Sequence, residues 1–189
     1  MLTDRFTEAL SYAERAHRLQ ARKGGEVPYV AHLLGVCALV LEYGGDEDQA
    51  IAALLHDAVE DQGGLKRLED IRNHFGPRVA SIVAACTDAD VMPKPPWRER
   101  KEKYIAALKH HERECWIVSC ADKMHNADTI LRDLRGHGAT VWGRFKGGRE
   151  GTLWYYRTLA DEFTRLMPGP MAAALEDLVS RLEHQADQT

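Results

Sequence analysis

The chain has 189 residues, 44% of them apolar and 29% charged, which suits one domain with a sizeable buried core. A formal charge of −4 gives no sign of the broad basic face of a nucleic-acid binder, and a small anionic substrate would have to be held by local basic groups and a metal. No apolar run approaches the ~18 residues of a membrane span, and a polar N-terminus with Asp4, Arg5 and Glu8 lacks the apolar region of a signal peptide, so a cytoplasmic protein without membrane partners is expected.

Helical periodicity runs through almost the whole chain. Residues 3–21 place Phe6, Leu10, Ala13, Ala16 and Leu19 near helical spacing, with Thr3 or Asp4 as cap. Gly24, Gly25 and Pro28 break that helix. A second is expected over about 30–43, stopped by Gly44-Gly45, and Asp46 is placed to cap a third. A short helix over 66–75 should end at Gly76, with Pro77 opening the next. The three prolines of Asp88–Pro96 demand a loop or lid. Helices are expected again over 97–112 and 115–135. Gly136, Gly138 and Gly147-Gly148 mark a flexible connection before helices near 150–166 and 171–185, the last with Met171, Leu175, Leu178 and Leu182 as an apolar stripe that is core or else an interface. There is no strand alternation and no internal repeat. The expected fold is a single all-α domain of about eight to ten helices. Cys37, Cys86, Cys115 and Cys120 have no CxxC spacing and sit mostly in apolar stretches, so reduced core thiols are expected.

The chemistry concentrates in Leu54-Leu55-His56-Asp57-Ala58-Val59-Glu60-Asp61, which sets four ionisable groups directly after an apolar run. Burying such charge without a partner is costly, and a metal ion supplies one. On a continuous helix His56 and Asp57 project about 100° apart and can reach one ion, with Glu60 and Asp61 stacked one turn later. His32 and Asp122, also embedded in apolar stretches, would complete a set of two imidazoles and two carboxylates. Mixed N/O ligation suits Mn²⁺ best, with Fe²⁺, Mg²⁺ or Zn²⁺ less favoured. Glu60 and Asp61 are placed to orient or deprotonate a water. Asn126, one turn after Asp122, can hold a phosphate or ribose oxygen. Farther on, residues 144–157 combine closely placed basic residues with aromatic ones. Lys146, Arg149 and Tyr156 can close over phosphates there, or Trp154 and Tyr155 are core and Arg149 is solvated.

The order His32, His56-Asp57, Asp122 resembles the HD-domain metal-dependent phosphohydrolases. More narrowly, Pro28–His32, Ala53–Asp61 and Ala121–Asn126 resemble the hydrolase domain of the RelA/SpoT alarmone enzymes, as do His74–Val79 and Thr87-Asp88. The similarity covers roughly residues 5–135 and includes the distinctive Glu60-Asp61 pair. It implies an all-α HD bundle and a Mn²⁺-dependent hydrolase that releases pyrophosphate from the 3′-position of ppGpp or pppGpp. By matching position it implies that His32, His56, Asp57 and Asp122 ligate the metal and that Glu60 and Asp61 activate water. It further implies that Arg22 lines the base, Lys23 the phosphates, and Asn126 and Thr129 the nucleoside.

No synthetase domain follows the similar region, so the chain looks like the single-domain animal-type homologues. Asp128 stands where many relatives carry Arg, and residues 136–168 diverge. Those departures keep other substrates open at the same site: ppApp, the 2′-phosphate of NADPH or a nucleoside monophosphate. A non-catalytic nucleotide sensor or antitoxin-like module is the alternative of a different class, and the Glu60-Asp61 pair argues against it. Oligomeric state is not legible.

Overall fold

The computed structural model describes residues 1–88 and 95–189. The expected Asp88–Pro96 loop therefore lies largely outside the described residues. Ten α-helices and one 3₁₀ segment account for the regular structure among them, together with a single isolated bridge between Ala21 and Pro28. They fall into two compact units, Met1–Lys94 with His111–Ala121, and Pro95–His110 with Asp122–Thr189. No helix among the described residues is long and apolar enough to cross a membrane.

In the first unit, α1 (Asp4–His17) starts where the Thr3 hydroxyl accepts from Arg5 N. Ala9, Tyr12, Ala13 and His17 form its buried stripe. The helix stops four residues short of the expected boundary. The α2 helix (Val30–Glu42) buries His32, Leu33, Val36, Cys37 and Val40 and ends as the chain turns at Gly44, with φ +85°. Asp46 and Gln49 form a reciprocal capping box for α3 (Glu47–Leu55). From Ala50 to Leu55 every α3 side chain is buried, because α1, α2 and α6 all pack on this helix. Then α4 (Ala58–Gln62) and α5 (Gly64–Phe75) follow, and Gly76 at φ +93° allows the sharp joint into α6 (Pro77–Cys86). Arg78 ties Asp46, Asp48 and Glu114 together, the last from the start of α8 (Arg113–His137).

The second unit holds α7 (Trp97–Leu108), the remainder of α8, the 3₁₀ segment Gly138–Arg144, α9 (Gly148–Leu166) and α10 (Pro170–Asp187). The expected flexible connection is thus a 3₁₀ helix pinned by buried Val141 and Trp142. The α9 and α10 helices pack together, which buries Met171, Leu175, Leu178 and Leu182 as core. Arg157 fastens the pair by binding Glu176 and Glu183. All four cysteines are free, and three are buried. Burial pushes the Cys37 thiol up to about 11, and burial with nearby Glu114 and Glu112 does the same for Cys115.

Candidate metal centre

Three donors converge in the first unit. His32 sits in the first turn of α2, and His56 and Asp57 occupy the turn that joins α3 to α4. The continuous helix expected through the His-Asp doublet is interrupted there. Asp57, with φ −93° and ψ −6°, keeps a right-handed backbone but lies past the end of α3 and becomes the N-cap of α4. The break is slight, since Asp61 N still donates to Asp57 O at 3.0 Å, and the one-turn offset of Glu60 and Asp61 survives.

The donor atoms of His32, His56 and Asp57 lie within 4.8 Å of one another. Asp57 Oδ2 is 3.1 Å from His56 Nε2 and 3.5 Å from His32 Nε2, and the two rings meet edge to face at 5.2 Å. His56 Nδ1 lies 2.8 Å from Ala53 O. In the neutral ring that contact places the hydrogen on Nδ1 and leaves the Nε2 lone pair facing Asp57. Both imidazoles are buried, 1% exposed, whereas the Asp57 side chain is 21% exposed and opens the cluster to solvent. Two aligned imidazole nitrogens and a carboxylate oxygen fit a divalent cation, with positions left for oxygen ligands.

Surrounding groups orient these donors. The Tyr29 hydroxyl donates to Asp57 Oδ2 at 2.6 Å, and the Tyr29 ring stacks on His17 at 5.1 Å. Burial holds His17 below the ordinary imidazole range. Glu60 is half-buried and Asp61 exposed on α4, and Asp61 Oδ2 accepts from Gln20 Nε2 at 2.8 Å. Arg22 Cζ lies 5.6 Å from the centre of the Tyr29 ring, which brings the expected base-binding residue beside the metal cluster. Its backbone N–H is tied to Val27 O, so the turn carrying Arg22 and exposed Lys23 has a fixed root. Sequence reasoning assigned no role to His17, Gln20 or Tyr29. Tyr29 had a signal, standing three residues before His32; Gln20 had none, because its partner is 41 residues away.

The remaining expected residues belong to the second unit. Asp122 is 7% exposed, and its carboxylate accepts from Lys123 Nζ and Asn126 Nδ2, so the predicted Asp122–Asn126 proximity on one face of α8 is present. Lys123 also lies over the Tyr104 ring at 4.8 Å. The Thr129 hydroxyl donates to His125 O at 2.9 Å, back onto its own helix. Lys146 is exposed. Arg149 binds both Glu150 and Asp187, and Tyr156 is buried against Tyr155. Trp154 and Tyr155 both meet the Trp97 ring, Tyr155 buried and Trp154 half-buried.

Residues 9–153 match a family model described as HD domain. The chain is 40% identical over 131 residues to the guanosine-3′,5′-bis(diphosphate) 3′-pyrophosphohydrolase MESH1 of Xenopus tropicalis, covering 68% of each protein. To the human protein of the same name it is 38% identical over 142 residues, 74% of each. A solved structure described as a metazoan ortholog of SpoT that hydrolyzes ppGpp and plays a role in starvation responses superposes with a TM-score of 0.77 at 30% identity, covering 94% of this chain and 95% of that one. This chain belongs to the HD-domain family, among its animal SpoT-like members.

Proposed function

We propose that this protein is a metal-dependent hydrolase of guanosine 3′-diphosphate alarmones, converting ppGpp or pppGpp to GDP or GTP and pyrophosphate, the activity for which its MESH1 relatives are named. The observation that carries the reading is the convergence of His32, His56 and Asp57 one turn before Glu60 and Asp61. Asp122 is proposed as the fourth ligand on its motif match and on the mixed N/O set it would complete. A divalent cation, Mn²⁺ in this reading, would supply positive charge for the phosphoryl oxygens and ease proton loss from water.

The chain's own residues would do the rest. His32, His56 and Asp57 hold the cation, and Tyr29 fixes the Asp57 carboxylate. Glu60 and Asp61 orient the attacking water and take its proton as its oxygen bonds to the phosphorus that carries the ribose 3′-oxygen. The bond from that phosphorus to the 3′-oxygen breaks, the 3′-oxygen gains a proton, and pyrophosphate departs. Arg22, already lying against one aromatic ring, offers its planar guanidinium to the guanine. Lys23 faces the phosphates, and Asn126 and Thr129 are proposed for the nucleoside. Lys146, Arg149 and Tyr156 are proposed for the 5′-phosphates, Lys146 being the exposed one of the three. Free thiols throughout agree with action in the cytoplasm.

The deciding experiment offers ppGpp, ppApp, NADPH and dGMP to the purified protein with Mn²⁺, Fe²⁺, Mg²⁺ or Zn²⁺, scoring pyrophosphate and phosphate separately. Metal-dependent pyrophosphate release from ppGpp, highest with Mn²⁺, is expected. Negligible ppGpp turnover beside rapid turnover of another nucleotide overturns the substrate, and no turnover of any overturns the enzyme.

A further inference from the structure

Gln20 lies in the connection after α1, and all four of its polar groups are engaged. Its backbone N–H donates to His17 O and its carbonyl accepts from Tyr29 N, each at 2.9 Å. Its side-chain Nε2 donates to Asp61 Oδ2 at 2.8 Å, while Oε1 accepts from Gln62 Nε2 at 2.6 Å and lies 2.7 Å from His17 Nδ1. One side chain therefore links the end of α1 to α4, and the same residue's backbone roots the turn that leads to His32.

The chemistry fixes which way the amide faces. An ionised carboxylate only accepts hydrogen bonds, so the NH₂ end must point at Asp61 and the oxygen at Gln62 and His17. His17 then carries its hydrogen on Nδ1. The resulting bond holds one oxygen of a carboxylate that stands on the exposed side of a five-residue helix. A neutral donor suits this task, because it orients the carboxylate without placing a cation against the charge needed to take a proton.

We propose that Gln20 is a positioning residue for Asp61, holding one carboxylate oxygen so that the other meets the attacking water. This rests on the water-activating role proposed above for Asp61. His17 and Gln62 act through Gln20 by fixing its amide.

The test compares Gln20→Leu and the nearly isosteric Gln20→Glu with wild type on ppGpp. Both should lower kcat about 10- to 100-fold, the usual cost of a small misplacement of a catalytic group. The KM for ppGpp and the Kd for Mn²⁺ should stay within about twofold, since neither variant touches a ligand. In an Asp61→Asn background Gln20→Leu should cost less than about twofold further, because no charged carboxylate remains to be positioned. Unchanged kcat in both single variants overturns the proposal, as does a loss that persists in full in the Asp61→Asn background. Thermal unfolding is followed for each; if Gln20→Leu unfolds early, Gln20→Glu, which keeps the side-chain volume, decides. Wild-type turnover separates the two readings. An enzyme active on ppGpp and indifferent to Gln20 refutes only the positioning role, whereas an inactive wild type refutes the function and this role with it.

Discussion

The Tyr29 hydroxyl donates to Asp57 Oδ2 at 2.6 Å, on the same oxygen that faces both His32 and His56. That bond directs the carboxylate toward the two imidazoles. Tyr29→Phe removes it and keeps the ring that stacks on His17. Losing such an outer hydrogen bond typically weakens metal binding by about 10- to 100-fold. Calorimetric titration with Mn²⁺ checks this, and an unchanged Kd would show that the carboxylate needs no such support.

His56→Ala removes a proposed metal ligand at the buried centre of the cluster. Activity should fall to background, and the rise in Tm that saturating Mn²⁺ gives the wild type should vanish. That rise reflects binding to the folded state alone, worth about 2.7 kcal/mol at a hundredfold excess over Kd. Stripping wild type with EDTA should likewise abolish turnover, and returning Mn²⁺ should restore it. Scanning calorimetry with and without metal separates ligand loss from misfolding.

Asp61→Asn preserves shape and removes the proposed base. General-base catalysis contributes about 10²- to 10⁴-fold, so kcat should fall within that range while Mn²⁺ still binds. Substantial ppGpp hydrolysis by this variant would remove Asp61 from the reaction.

Gly147 tests the packing of the second unit. A Cβ there would meet the Trp97 ring at 2.7–2.9 Å, and a rigid indole cannot yield as a flexible chain end can. The backbone itself, at φ −82°, accepts alanine. Gly147→Ala should therefore destabilise by about 1–3 kcal/mol through overpacking alone. Urea unfolding measures it; a midpoint equal to wild type would contradict the close approach.

The thiols of Cys37 and Cys115 are pushed up to about 11 by burial from an ordinary value of 9.0. A raised folded pKa means that the folded state keeps its protons where the unfolded chain releases them. The associated stability is complete below pH 9 and lost as pH rises toward 11, at up to about 1.4 kcal/mol per pH unit and thiol. Both thiols should resist a thiol reagent at pH 8 in the native protein and react at once in denaturant. Fast native labelling of either would disprove the shift.

Much of this protein was legible locally. Asp46 before α3, Gly76 before Pro77, and Gly44 after α2 are short-range signals, and each sets a helix boundary where expected. The doublet His56-Asp57 stood out because charge beside Ile51-Ala52-Ala53-Leu54-Leu55 has no packing purpose. The turn between α3 and α4 was not legible, because His56 and Asp57 carry no Gly or Pro to announce a break. Asp57 becomes the N-cap of α4 while its side chain faces two imidazoles and Tyr29. The connection read as flexible around Gly136–Gly148 became a 3₁₀ helix because Val141 and Trp142 found a core to enter.

The sequence by itself determined the kind of chemistry: imidazoles and carboxylates in apolar stretches demand a counter-charge, and two more carboxylates, Glu60 and Asp61, follow one turn behind. Only the tertiary structure decided which groups tune that chemistry. Gln20 and Tyr29 reach Asp61 and Asp57 across 41 and 28 residues of chain, and no periodicity encodes a hydrogen bond made by folding the α1–α2 connection onto the start of α4. Helix boundaries answer to neighbours in sequence, whereas the orientation of a carboxylate answers to neighbours in space.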